Sequence, residues 1–186
     1  MLALLLTLLA LTPAQQSFLD RLAEAALQRT KAPRVTYDPA YVRIGYPGGD
    51  VAANRGVCAD VVIRSYRALG IDLQRAVHED MAAHFSDYPK SWKLKHPDTN
   101  IDHRRVPNLR VFFTRHGVSL PTSGEFLPGD IVTLTVAGRL PHIAIVSSRK
   151  SAAGVPLLVH NIGEGEVLED ALFAYPMTGH YRYFGK

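Results

Sequence analysis

The sequence predicts an α+β fold, with N-terminal helices packed on an antiparallel β-sheet supplied by the second half of the chain. Three observations carry this. Residues 17–29, 54–71 and 107–117 place apolar side chains at helical spacing between capping and stopping residues. From residue 131 onward the period shortens to that of strands, in the runs 131–136, 142–147, 156–160 and 181–184, each bounded by turn residues. The two kinds of element are also segregated, helices first and strands after, whereas a parallel sheet would alternate them.

The chain opens on an apolar run, residues 2–11, followed by Thr12, Pro13 and Ala14. A spanning helix needs about 20 apolar residues, so this run is too short to cross a bilayer. It fits the core of a secretory signal with cleavage after Ala14, although no Lys or Arg precedes it. The expected organisation is a signal peptide over 1–14 and one domain over 15–186, exported to the periplasm or beyond. No later segment is apolar enough for stable membrane insertion.

Composition narrows the partners. The chain is 47% hydrophobic and 20% charged with a net charge of +4, an ordinary globular balance with a modest basic excess. That excess suits an anionic surface such as a cell wall. Nucleic-acid binding is not expected, because the densest basic cluster, 102-DHRR-105, is short and has an acid beside it.

Along the chain, Ser17 is placed to cap a helix over 17–29 whose apolar face holds Phe18, Leu19, Leu22, Ala25 and Ala26. A loop or short extended piece over 34–50 carries Pro39, Pro47, Gly48 and Gly49. The helix near 58–69 buries Val61, Val62, Tyr66 and Leu69 and stops at Gly70. The polar, His-rich middle, 78–105, shows little periodicity beyond a short helix near 80–85. Pro107 then opens a compact helix with Leu109, Phe112 and Phe113 inward, ended by Gly117.

Cys58 is the one cysteine, placed in the first turn of a helix. Backbone N–H groups there are unpaired and carry partial positive charge, which favours a thiolate and offers donors for an oxyanion. Position alone leaves two readings open: a nucleophile, or a small buried apolar residue. A nucleophile needs a base. Of eight histidines, His142 opens one β-type run and His160 closes the next, so adjacent strands would bring them side by side. Ile143 and Ile145 should face opposite to His142, Ala144 and Val146.

The order of these residues resembles the papain-like murein endopeptidases of the NlpC type. The carrying features are a cysteine at a helix start, the turn 127-LPGD-130 into a strand, the base strand 142-HIAIV-146 and the element 159-VHN-161. The phrases GVCADVVIRSYRALG, NIDHRRVPNL, PHIAIVS and TGHYRY resemble more closely an exported bacterial family known as domain of unknown function 1287. The resemblance implies a papain-like fold and thiol-dependent hydrolysis of an amide, in peptidoglycan or another peptide substrate, with no cofactor. It implies Cys58 as nucleophile, His142 as general base and His160 as the residue orienting it, with Asn161 as the competitor for that third role. Tyr46, in 45-GYPGGD-50, would lie near the nucleophile and contact substrate. One departure stands out: Val57 and Ala59 occupy the positions where those endopeptidases carry Asp and Ser, with Asp60 one further on. A different recognition surface would then come from Asp60 and from Asp102, His103, Arg104 and Arg105, since Arg binds carboxylates bidentately.

Other classes remain open. One is a non-catalytic wall-binding module of the same fold. Another is a metal site drawn from His78, His84, His96, His103, Glu79, Asp80 and Asp102, although their spacings match no zinc pattern. A third is a dimer linked through Cys58.

Overall fold

The computed structural model describes residues 10–31 and 33–185. Most of the expected signal run falls on residues 1–9, outside the described residues. Helix α1 spans Pro13–Arg29. It starts earlier than the sequence reading placed it because Thr12, not Ser17, is the cap. The Thr12 hydroxyl accepts from the Gln15 N–H at 3.2 Å, while the Gln15 side chain accepts from the Thr12 N–H at 2.9 Å. Pro13 fills the first helical position, where no donor is needed. The expected cleavage point after Ala14 lies in this first turn.

A two-residue strand β1 (Thr36–Tyr37) pairs in parallel with β2 (Arg55–Gly56). Helix α2 (Cys58–Ala68) follows directly, then α3 (Leu73–Ala83) and α4 (Val106–His116). Helix α3 corrects the expected short helix near 80–85. Asp72 caps it by accepting from the Gln74 and Arg75 N–H groups, and only Leu73, Val77 and Met81 make its apolar stripe. A stripe one residue wide per turn is easily lost among polar neighbours.

Strands β3 (Val118–Ser119), β4 (Ile131–Val136), β5 (Leu140–Lys150), β6 (Pro156–His160), β7 (Val167–Glu169) and β8 (Met177–Arg182) form one antiparallel sheet of order β3-β8-β4-β5-β6-β7. The expected meander therefore holds from β4 to β7, while β8 returns to lie between β3 and β4. Ile131, Ile143, Ile145 and Val159 face the helices, packing with Leu22, Ala59, Val62, Tyr66 and Phe113. Val132, Leu134, Ala144, Val146 and Leu158 face the other way and are covered by Phe126, Ala171 and Leu172. Both faces are dry, which is why the strands read as nearly continuous apolar runs.

Two buried charge networks brace the fold. Arg64 on α2 holds the loop ahead of it, pairing with Asp50 at 3.0 Å and Glu166 at 3.4 Å and donating to the carbonyls of Val51, Ala52 and Arg55. Asp130, in the turn before β4, accepts from the Leu127 N–H, His180 and Arg182. Gly129 in the same turn has φ +86°, and a Cβ there would sit 2.5 Å from the Leu19 carbonyl oxygen. Only glycine lets α1 and this turn touch.

Candidate functional site

Cys58 is the first residue of α2, after Val57 in an extended N-cap conformation. Valine has no capping oxygen, so Asp60, the third residue of the first turn, serves instead: its Oδ2 accepts from the Val57 N–H at 2.7 Å. The same carboxylate takes a bidentate fork from Arg104, 2.9 Å to each oxygen, and Arg104 also reaches the carbonyls of Ala40 and Asp38. Both side chains are buried. Asp60 and Arg104, expected to meet substrate, are committed to each other and fix the start of the helix.

The thiol is 5% exposed. Burial pushes its pKa up to about 11, against the opposing pull of the Ile143 and Ala59 backbone N–H groups that face it. The helix-start N–H group of Ala59 does favour the thiolate, as the sequence implied, but burial opposes it. Desolvation outweighs the dipole, and the resting group is a neutral thiol.

The aromatic neighbour of the thiol is Tyr37, which the sequence reading missed. The ladder pairs Tyr37 with Gly56, two residues before the cysteine, and Tyr37 and Cys58 line the same cavity. Tyr46 lies elsewhere, its ring 5.2 Å from that of His78, outside the lining of the cavity at Cys58. A β1–β2 pairing of two residues leaves almost no trace in sequence.

On the sheet, His142 stands on β5 opposite Leu134 of β4, and His160 closes β6. His142 Nε2 is 2.9 Å from His160 Nδ1, and His160 Nε2 is 2.9 Å from Glu169 Oε2 on β7. Glu169 was not singled out from the sequence, because only the pairing of β6 with β7 brings it there. Its carboxylate can only accept, so His160 Nε2 carries the hydrogen and His160 Nδ1, in the neutral ring, accepts from His142 Nε2–H. The chain of bonds leaves His142 Nδ1 with its lone pair free, the atom a base needs. Burial, and secondarily the charge of His160, hold the His142 pKa down at about 3, so the ring is neutral. Asn161 points to the other face, where its Oδ1 accepts from the Gly163 N–H at 3.0 Å.

The thiol meets β5 at the Ile143 amide, whereas His142, paired with Leu134, stands on the sheet face that Leu134 and Ala144 share, turned away from the helices. Among the described residues no hydrogen bond joins Cys58 to His142 directly. Catalytic hydrogen bonds often close only with substrate in place.

A cavity of about 310 Å³ opens over Cys58, lined by Tyr37, Tyr41, Trp92, Arg105 and Pro141 among others. Of the cluster 102-DHRR-105, only Arg105 and the committed Arg104 reach it. Asp102 is fully buried, accepting from His78 Nδ1 at 3.0 Å and the Asp98 N–H at 2.7 Å. His103 is also buried, and desolvation holds its pKa down at about 4. These two are interior groups, against the expectation that they form a recognition surface. The residues of the metal reading disperse as well: His78 binds Asp102, His84 binds Asp80, and His96 bonds the Pro97 carbonyl. Among the described residues no three His, Cys, Asp or Glu gather as a metal site.

Helices that carry a cysteine at a helix start, packed on an antiparallel sheet that carries a histidine pair, make the papain-like fold of NlpC type. The structure of NlpC2 from Trichomonas vaginalis shares it, with a TM-score of 0.51 at 15% identity, covering 96% of this chain and 49% of that one. The chain thus spans about half the length of that protein. It belongs to the family described as domain of unknown function DUF1287, whose model matches residues 23–183. The uncharacterized protein YijF of Escherichia coli (strain K12) is 56% identical over 153 residues, 81% of this chain and 75% of that protein.

Proposed function

We propose that the chain is an exported cysteine hydrolase that cleaves an amide bond, with peptidoglycan as the substrate. The observation that carries this reading is the placement of Cys58 at the mouth of a cavity, against the strand whose His142 is held in one tautomer by His160. In the reaction, the ring of His142 has to turn from its place beside His160 toward the sulfur; its Nδ1 then takes the thiol proton and the sulfur attacks the carbonyl carbon. The N–H groups at the start of α2 receive the negative charge that develops on the carbonyl oxygen. The C–N bond then breaks, the amine leaves with the proton from His142, and water activated by the same ring hydrolyses the thioester. The apolar run at residues 2–11 supports export, and the basic balance supports an anionic wall as partner.

Digestion of purified peptidoglycan by the protein and by its Cys58→Ala form, read by mass spectrometry, tests this. Fragments released by the wild type alone are the expected result, and their masses identify the bond. Fragments from neither would overturn the wall-hydrolase reading. One observation favours a second reading, a wall-binding module without turnover: the thiol is neutral at rest and makes no hydrogen bond to His142. Binding to peptidoglycan that Cys58→Ala leaves intact, with no fragments, is its signature.

A further inference from the structure

The cavity over Cys58 contains a cation without a counterion. Arg105 lines it, with its guanidinium carbon 4.3 Å from the centre of the exposed Trp92 ring. The side chain is half-buried and donates no hydrogen bond among the described residues; Nη1 lies on its buried side, without a partner, and the rest of the group faces the cavity. The neighbouring Arg104 shows what a satisfied guanidinium looks like here, forked onto Asp60 and capped by two carbonyls. The acids nearest Arg105 in effect, Asp102 and Asp98, are engaged elsewhere: Asp102 with His78, and Asp98 with Tyr41 and Asn100. The remaining lining is aromatic or apolar, apart from the thiol and the paired Arg104. A partly desolvated guanidinium stacked on an indole, with no carboxylate of its own, is a preorganised fork for one.

We propose that Arg105, held by Trp92, makes the cavity over Cys58 a carboxylate subsite, so that the favoured substrate is an acidic peptide whose free carboxylate lies close to the scissile amide. This rests on the hydrolase reading for its meaning, but it is testable without turnover. Cys58 is the single cysteine, so its alkylation reports which reagents the cavity admits.

The experiment compares the alkylation rates of Cys58 by iodoacetate, which carries a carboxylate, and by iodoacetamide, which is neutral and nearly isosteric. Both run at pH 9 in low salt, with the unfolded chain as the reference for intrinsic reactivity. The folded wild type should favour iodoacetate over that reference by about ten-fold, as a charge-assisted hydrogen bond implies. Arg105→Gln should return the ratio to the reference value, and Arg105→Lys should keep part of it, with folding of each variant checked by circular dichroism. A wild-type ratio equal to the reference, a ratio untouched by Arg105→Gln in a folded variant, or a thiol closed to both reagents would each overturn the subsite. Peptidoglycan digestion run beside it separates the two claims. Turnover without anion preference sinks the subsite alone, and anion preference without turnover sinks the hydrolase alone.

Discussion

His142, His160 and Glu169 are joined by two hydrogen bonds of 2.9 Å, and the carboxylate at the end sets the direction of both. If Glu169 fixes the tautomer, its removal should act on the rate of the chemical step and leave substrate affinity nearly untouched. Glu169→Ala is expected to lower kcat about ten-fold with little change in KM, below the 10²–10⁴ contributed by the base itself because Glu169 is half exposed. Glu169→Gln keeps an acceptor oxygen toward His160 and should recover most of the rate. Equal losses in both variants would point to charge, not tautomer, as the contribution. The thiol offers a second residue-scale test. With burial holding Cys58 at about 11, its alkylation by iodoacetamide should climb through pH 9 and 10 without a plateau. A plateau near pH 8.5 would mean that the groove opens and solvates the sulfur. Neither Glu169 nor Tyr37 was legible in the sequence, because each reaches the site through a strand pairing between distant segments. Cys58, His142 and His160 were legible because each adjoins a run with a clear apolar period, Cys58 beginning α2, His160 ending β6 and His142 preceding the apolar stretch of β5.

At the scale of elements, the start of α2 depends on the pair Asp60–Arg104, which does three things at once. It caps the helix, joins it to the 3-10 turn at Asp102–Arg104, and ties down the carbonyls of Asp38 and Ala40 beside β1. Removing one partner leaves a buried charge unmatched, so Asp60→Ala or Arg104→Ala should each destabilise by about 3–5 kcal/mol. The double replacement should cost clearly less than the sum of the two, a coupling that chemical denaturation of the four forms would measure. Additivity would mean the two side chains act separately. From the sequence these residues looked like a recognition surface, since charge reads as exposure until a partner forty residues away is known. The same blindness affected β8. Gly179, His180 and Arg182 interrupt its apolar alternation, and the expected strand fell at 181–184, but His180 and Arg182 are there to satisfy Asp130. By contrast β4, β6 and α4 bury ordinary apolar faces, and the bounds the sequence implied for them agree with the structure to within a residue.

Across the whole molecule, buried imidazoles make stability depend on pH: burial lowers His103, His142 and His160 alike. Burial depresses His142 to about 3 and His103 to about 4, from 6.5 in an unfolded chain. Between those values and 6.5 the unfolded chain binds protons that the folded one refuses, so stability is full above pH 6.5 and falls as pH falls. Each of these two imidazoles contributes a slope of about 1.4 kcal/mol per pH unit, or about 3–4 kcal/mol together between pH 6.5 and 5. Asp80, held down at about 2 with burial opposed by Tyr88, His116 and Arg115, extends the loss below pH 3.8. Asp102, raised by burial, works against it over part of that range. Urea denaturation at pH 7 and pH 5 should therefore show a markedly lower midpoint at pH 5, and His103→Gln should remove part of the difference, leaving what His142 and His160, both lowered by burial, contribute. Equal midpoints at the two pH values would mean that the imidazoles are hydrated in the folded protein. The base itself behaves oppositely: His142 stays neutral far into the acid range, so catalysis in mild acid should be limited by unfolding before protonation of the base stops it. An activity loss that coincides with the loss of circular dichroism on acidification is the expected outcome, and a loss of activity near pH 6 with the fold intact would show His142 to be solvated in the working enzyme.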